Sequence, residues 1–291
     1  MDYRWLLTLG TVIMMMAGCT ADDDAERLSA PMSPTLTVSE LPWQQQGLAV
    51  TRAAETLTSL KSSGIGLYCD KLSMANRQVA WNVATQTWDF GSYPYYLPRG
   101  FTATDLLAYA PYNASAVVAG GLYTFAPAVD NSVDLMWGDS GGTPPALTLT
   151  FRHALAKVSF GTVSNHYGST VTLQSVTLTD KSSQRLYESG RLDLSDGTWS
   201  NLSAYATEKV VSRTDFDADA VGIQTLSVAD GDVVALGLEP MLFIPGPTVV
   251  VTVTISSDYG TETFSQELTL EQGVNKEVSI TIAQNHQVEI E

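Results

Sequence analysis

The side chains with chemistry to offer are few, and their spacing decides what they can do. Gly138-Asp139-Ser140-Gly141-Gly142 sets a hydroxyl among glycines and beside a carboxylate, a setting in which a serine can act as a nucleophile. That serine needs a histidine base and an orienting carboxylate, and with this pentapeptide both come earlier in the chain. Here His153, His166 and His286 all follow Ser140, so the stretch is read as a loop of turn formers. The histidines are widely spaced, with no His-x-x-x-His and no cysteine pair to gather a metal, so neither a metal nor a cofactor is expected. Asp215-Phe216-Asp217-Ala218-Asp219 offers oxygens for calcium but lacks the glycine and distal glutamate of an EF-hand loop, and reads as a solvated acidic loop. Tyr93, Tyr95, Tyr96, Phe101 and Tyr109 could stack on sugars, although on sheet strands such rings serve more often as core and edge cover. The chain is therefore read as non-enzymatic.

Cys19 is a different case. It closes the run Met14-Met15-Met16-Ala17-Gly18-Cys19, and the apolar stretch from Trp5 to Met16 is about a dozen residues, short of the roughly 18 to 20 that span a bilayer. Ala-Gly-Cys resembles the bacterial lipobox, in which cysteine becomes the first mature residue and is acylated on its sulfur and amino group. The resemblance implies a signal peptide over 1–18 and a lipid anchor, palmitate among its acyl chains, on Cys19. Thr20 in place of Asp favours the outer membrane over retention at the inner one. Asp22-Asp23-Asp24 resembles the acidic export signal of surface lipoproteins of the Bacteroidetes, and residues 19–35 are read as an acidic tether.

Composition limits what hangs from that anchor. The chain has 291 residues, 44% hydrophobic and 16% charged, which is globular rather than disordered and long enough for two ordinary domains. A net charge of -16 argues against nucleic acid and against docking on anionic lipid through basic patches. With Cys19 acylated, Cys69 has no partner for a disulfide, and folding rests on apolar burial.

The elements that must do this burying are strands. From Leu36 onward, short Val-, Thr-, Leu- and Tyr-rich segments are separated by Gly, Asn, Asp and Pro. Val249, Val251, Val253 and Ile255 alternate toward a core, Val278-Ser279-Ile280-Thr281-Ile282 does the same, and Ser256–Gly260 turns the chain into Thr261–Leu268 as a hairpin. Over 171–179 the alternation is imperfect: Val171 and Leu173 share one face with Ser175, Thr177 and Thr179, while Val176 and Leu178 fall on the other, as if both faces were partly covered. Ala53 to Lys61 is the nearest candidate for a helix, weakened by Thr56 and Thr58. The turn formers from Gly138 to Pro145 suggest a boundary, giving β-sandwich domains over 36–145 and 146–291.

Several segments together resemble one family. Leu149-Thr150-Phe151-Arg152-His153-Ala154-Leu155-Ala156-Lys157-Val158 looks like the "F-x-H-x-x-A-K" strand of the fimbrillin-like lipoproteins of Bacteroidales, subunits of type V pili. Leu107-Ala108-Tyr109-Ala110-Pro111-Tyr112, Val133-Asp134-Leu135-Met136-Trp137, Thr51-Arg52-Ala53 and Leu270-Glu271-Gln272-Gly273 are similar to further segments of that family, in the right order. His153 and Lys157 are read as marking a strand that enters the second sandwich, with His153 hydrogen-bonded in place.

The resemblance implies an all-β fold of two tandem transthyretin-like Greek-key β-sandwiches after the signal peptide. It also implies export as a lipoprotein to the outer-membrane surface, then cleavage by an Arg-specific protease at Arg52-Ala53. That cut would remove the first strand, within 36–52, and open a groove for β-strand addition by other pilin subunits, placing the chain in a fimbrium. Stalk subunits of the family carry a strand-forming C-terminal extension. Here only Val288 and Ile290 alternate after Ile282, which leaves room for a tip, accessory or anchor role. The alternative from another class is a surface glycan-binding lipoprotein that never polymerises; a strand near Leu36 to Thr51 within the first sandwich with Arg52 exposed beyond it would favour the pilin, and a disordered segment there the glycan binder.

Overall fold

The computed structural model describes residues 34–45, 58–91, 97–126, 133–181, 184–207, 210–213, 225–284 and 288–290. In the first half run β1 (Thr35–Glu40), β2 (Gln44–Gln45), helix α1 (Thr58–Ser63), β3 (Ile65–Cys69), β4 (Met74–Asn82), β5 (Thr87–Asp89), β6 (Leu107–Ala110), β7 (Val117–Ala119) and β8 (Leu122–Phe125). The middle holds β9 (Met136–Thr143), β10 (Ala146–His153), β11 (Ala156–Asn165), β12 (Val171–Asp180), β13 (Tyr187–Asp193), β14 (Trp199–Ala204) and β15 (Val210–Arg213). The last part holds β16 (Leu226–Val228), β17 (Val233–Ala235), β18 (Met241–Phe243), β19 (Thr248–Ser257), β20 (Gly260–Thr269), β21 (Val274–Ile282) and β22 (Val288–Ile290).

These strands form four sheets among the described residues. The first has the order β1-β10-β9-β6-β3-β4-β5, and because neighbouring side chains point opposite ways it contributes to a core on each face. Leu67 and Ala108 face one core, shared with Leu60 of α1, while Tyr68 and Tyr109 face another, built against Tyr123, Phe125 and Leu192 of the sheet β14-β13-β8-β7. Helix α1 occupies the end of the candidate helical stretch; the rest of that stretch lies outside the described residues.

The second sandwich packs β17-β11-β21-β2, with β18 and β22, against β15-β12-β19-β20, with β16. The expected hairpin is β19 and β20, and Val249, Val251, Val253 and Ile255 are buried. Val278, Ile280 and Ile282 of β21 are buried as the alternation predicts. The irregular alternation over 171–179 has a different cause from partial cover of both faces. A bulge between Leu173 and Ser175 switches the phase, so Val171, Leu173, Val176 and Leu178 all reach the same core.

Two readings change here. The Gly138–Gly142 stretch is strand β9, not a loop, and its glycines serve close packing. A Cβ on Gly138 would lie 2.9 Å from that of Ala108, and one on Gly141 would lie 2.9 Å from the Thr148 hydroxyl. The boundary at 145/146 falls at the turn of the β9–β10 hairpin, so β10 continues the first sheet to His153 and the change of sheet comes at Ala154-Leu155. The two halves also share a sheet, since β8 pairs with β13 over Leu122 to Phe125.

Candidate functional site

The N-terminal described segment, 34–45, is a strap that crosses from one sandwich to the other. Thr35-Leu36-Thr37-Val38 alternates β-branched and apolar residues, and it pairs in parallel with the edge of β10 from Thr35–Ala146 to Glu40–Phe151. Val38 is buried in the first core and Leu36 packs against it, while Thr35, Thr37 and Ser39 are exposed. The strap is held at both ends of the pairing: the Thr35 amide donates to the Pro145 carbonyl at 3.0 Å and the Leu41 amide to the Phe151 carbonyl at 2.9 Å. Pro42, which has no N–H to give, stands where the chain leaves β10. The Gln44 amide then donates to the Gly273 carbonyl at 2.9 Å, and β2 joins β21 in parallel at Val274 and Asn275.

Between the two pairings Trp43 turns inward onto His153. The rings stack with centroids 3.9 Å apart and an interplanar angle of 15°, and the Lys157 ammonium lies 5.6 Å from the indole centroid. The Asp134 carboxylate accepts from His153 Nδ1 at 2.9 Å and so fixes the plane of the imidazole. His153 Nε2 is buried and has no hydrogen-bond partner among the described residues. Beside this stack is a cavity of about 320 Å³, lined by strap residues Leu41, Pro42 and Gln44 and by Trp137, Arg152, His153 and Gln272 among others. The junction is tied from below: the Gly273 amide donates to the Leu155 carbonyl at 2.8 Å, and Gly273 takes φ +70°, a left-handed conformation that suits glycine.

The far edge of β21 is shared. Strand β11 pairs along one side of β21, so β2 at Val274–Asn275 and β22 at Ile280–Ile282 both lie on the other. Val288 and Ile290 thus form the short strand their alternation suggests, and Ile290 is buried.

The other sequence candidates are absorbed by structure or lie elsewhere. Ser140 donates its hydroxyl to the Leu106 carbonyl and pairs across to Leu149 in the β9–β10 ladder. Tyr109 and Phe101 are buried core residues rather than a sugar platform. Burial pushes the Tyr109 phenol up to about 12, and its hydroxyl donates to Asn76 Oδ1 at 2.6 Å. No group of three His, Cys, Asp or Glu side chains suited to a metal occurs among the described residues, and no helix there is long and apolar enough to cross a membrane. Cys19, Arg52, Ala53, Tyr93, Tyr95, Tyr96, His286 and the Asp215–Asp219 loop lie outside the described residues. The last described strap residue, Gln45, precedes Arg52 by seven positions. Trp43 is the site residue that sequence reasoning missed. Its signal was a lone aromatic after Pro42 just past a strand, which by itself does not name a partner.

The sequence pattern of the fimbrillin-like family matches residues 51–291. The chain belongs to that family. A fimbrial protein from Bacteroides vulgatus shares its fold, with a TM-score of 0.56 and 17% identity over 88% of this chain and 97% of the other. A putative cell adhesion protein from Bacteroides ovatus aligns over 89% of this chain and 96% of its own, with 14% identity and a TM-score of 0.49. None of the curated proteins matches. As a fimbrillin-like protein the chain is a member of a fimbrial and cell-adhesion family, not of an enzyme family.

Proposed function

We propose that this fimbrillin-like chain is a pilus subunit whose strap is a built-in blocking strand. Lipid on Cys19 carries the chain to the outer-membrane surface. Cleavage at Arg52-Ala53 then separates the strap from the body, and the vacated edges accept a strand from another subunit. The observation that carries this reading is the parallel pairing of β1 on β10. It is an edge strand, joined to the rest through the single connection that contains Arg52, and its buried side chains fill a core groove. The family match begins at Thr51, just past the strap, which supports the same division of the chain.

Loss of the strap would bare the backbone of β10 over 146–151 and that of β21 at 274–275, together with the apolar slot under Val38. Unpaired edges of this kind are satisfied by strand addition, in which main-chain hydrogen bonds supply affinity and alternate side chains supply specificity. Before cleavage the strap holds these positions at high effective concentration, so an incoming strand cannot compete.

The test is the N-terminal sequence and intact mass of protein recovered from the cell surface, with and without limited trypsin. A species that starts at Ala53 and forms higher oligomers is expected. Acylated Cys19 persisting in every species, with no assembly after trimming, would refute the proposal.

A further inference from the structure

The strap shows which features a replacing strand must have. Hydrogen bonds on both sides of Pro42, from Leu41 to Phe151 and from Gln44 to Gly273, tie one strand to two different sheets and fix its register across the junction. Within that register the inward positions are Leu36 and Val38 in the first core, the buried Glu40 after them, and Trp43 on His153, seven residues after the first of them. The site under Trp43 is held by the body of the protein, through residues that do not belong to the strap. Asp134 sets the imidazole plane, the side chain of His153 is 2% exposed, and its Nε2 faces a buried position without a hydrogen-bond partner among the described residues. Lys157 stands 5.6 Å from the indole centroid, where an ammonium favours an electron-rich ring.

We infer that the His153–Lys157–Asp134 socket is a specificity site for the incoming strand, which must carry an aromatic ring seven residues beyond its first inward apolar side chain. This rests on the strand-replacement reading above and adds the identity of the partner: a strand of another subunit that, counted along the chain from its first inward side chain, carries apolar residues at positions one and three and Trp, Tyr or Phe at position eight. A flat imidazole face meets a ring at full contact, whereas a branched aliphatic side chain touches it at only a few atoms. The span also has to be right. A strand one residue shorter between the two pairings would satisfy β10 or the socket but not both, because a single-residue slip turns every side chain to the opposite face.

The test uses the full chain trimmed after Arg52 and synthetic peptides based on the sequence of 34–45. The peptides carry the native sequence, Trp43→Phe, Trp43→Ala, Trp43→Leu, or a deletion of Leu41, and binding is read by native mass spectrometry and fluorescence anisotropy. Because only the peptides vary, folding of the protein is not in question. The native and Trp43→Phe peptides should bind within about fivefold of each other, while Trp43→Ala, Trp43→Leu and the deletion should each lose at least thirtyfold. In a His153→Leu protein the gap between native and Trp43→Ala peptides should narrow. Equal binding of the native and Trp43→Ala peptides to the unmodified protein overturns the socket while leaving strand replacement intact. Failure of every peptide, with no oligomers of the trimmed protein, overturns strand replacement itself and the socket with it.

Discussion

Replacing Val38 by aspartate separates the stability of the strap from that of the body. Val38 is 6% exposed, and its methyls fill the groove between β10 and the first core. Removing that burial costs roughly 1.5 to 3 kcal/mol, and the new carboxylate must either stay desolvated or swing out with the strand. Because β1 lies at a sheet edge, the cheaper response is for the strap to lift, and the cost to the whole molecule cannot exceed the free energy that holds the strap down. The opening equilibrium should therefore shift by about 2 kcal/mol, and with ~1.4 kcal/mol per tenfold the Thr35, Leu41 and Gln44 amides should exchange roughly thirtyfold faster. Amides of β19 and β20, whose cores the strap does not touch, should keep their protection. Thr37→Asp, on the exposed face of the same strand, is the control and should change exchange by less than about twofold. The assay is native-state hydrogen exchange read by mass spectrometry. If strap amides in Val38→Asp exchange no faster than in the unmodified chain, or if β19 loosens in step with them, the strap is not an independently detachable unit and the reasoning fails.

Three other outcomes follow from the structure. Gly66→Ala would drive a Cβ into the Tyr109 ring, so it should cost about 3 kcal/mol or more by denaturant unfolding; an unchanged midpoint would mean the ring moves freely. The Tyr109 phenol sits near 12 against an ordinary 10, so the unfolded chain releases its proton first as pH rises. Its contribution is therefore present below pH 10 and lost between 10 and 12, and stability there should fall more steeply in the unmodified protein than in Tyr109→Phe. Cys69 is buried and its thiol is pushed up by that burial, so a Cys19→Ser chain should show no thiol reactive toward an aromatic disulfide reagent until denaturant is added.

The β character, the β19–β20 hairpin and the family were legible in the chain because each rests on local pattern. Val249 to Ile255 alternate without interruption, and a period of two needs no knowledge of distant residues. Phase errors entered where a single residue breaks that period. The bulge between Leu173 and Ser175 leaves no local mark, so the two halves of β12 looked as if they faced opposite sides. The Gly-rich run at 138–142 carries turn-forming residues for a reason that only the neighbours reveal: Ala108 and Thr148 leave no room for a side chain.

The sequence alone determined that the chain is a strand-built, acidic protein with a lipobox-like cysteine and the ordered segments of a fimbrillin-like family, since composition, period and motif order are properties of the string. What the strap does was decided only in three dimensions. Its hydrogen bonds join residues more than a hundred positions apart, Thr35 with Pro145 and Gln44 with Gly273, and the stack of Trp43 on His153 is set by where two sheets meet. Pairing of this range depends on the path of every strand between. A sequence can mark a strand as apolar and extended, but the edge that strand covers exists only once the sheet has formed.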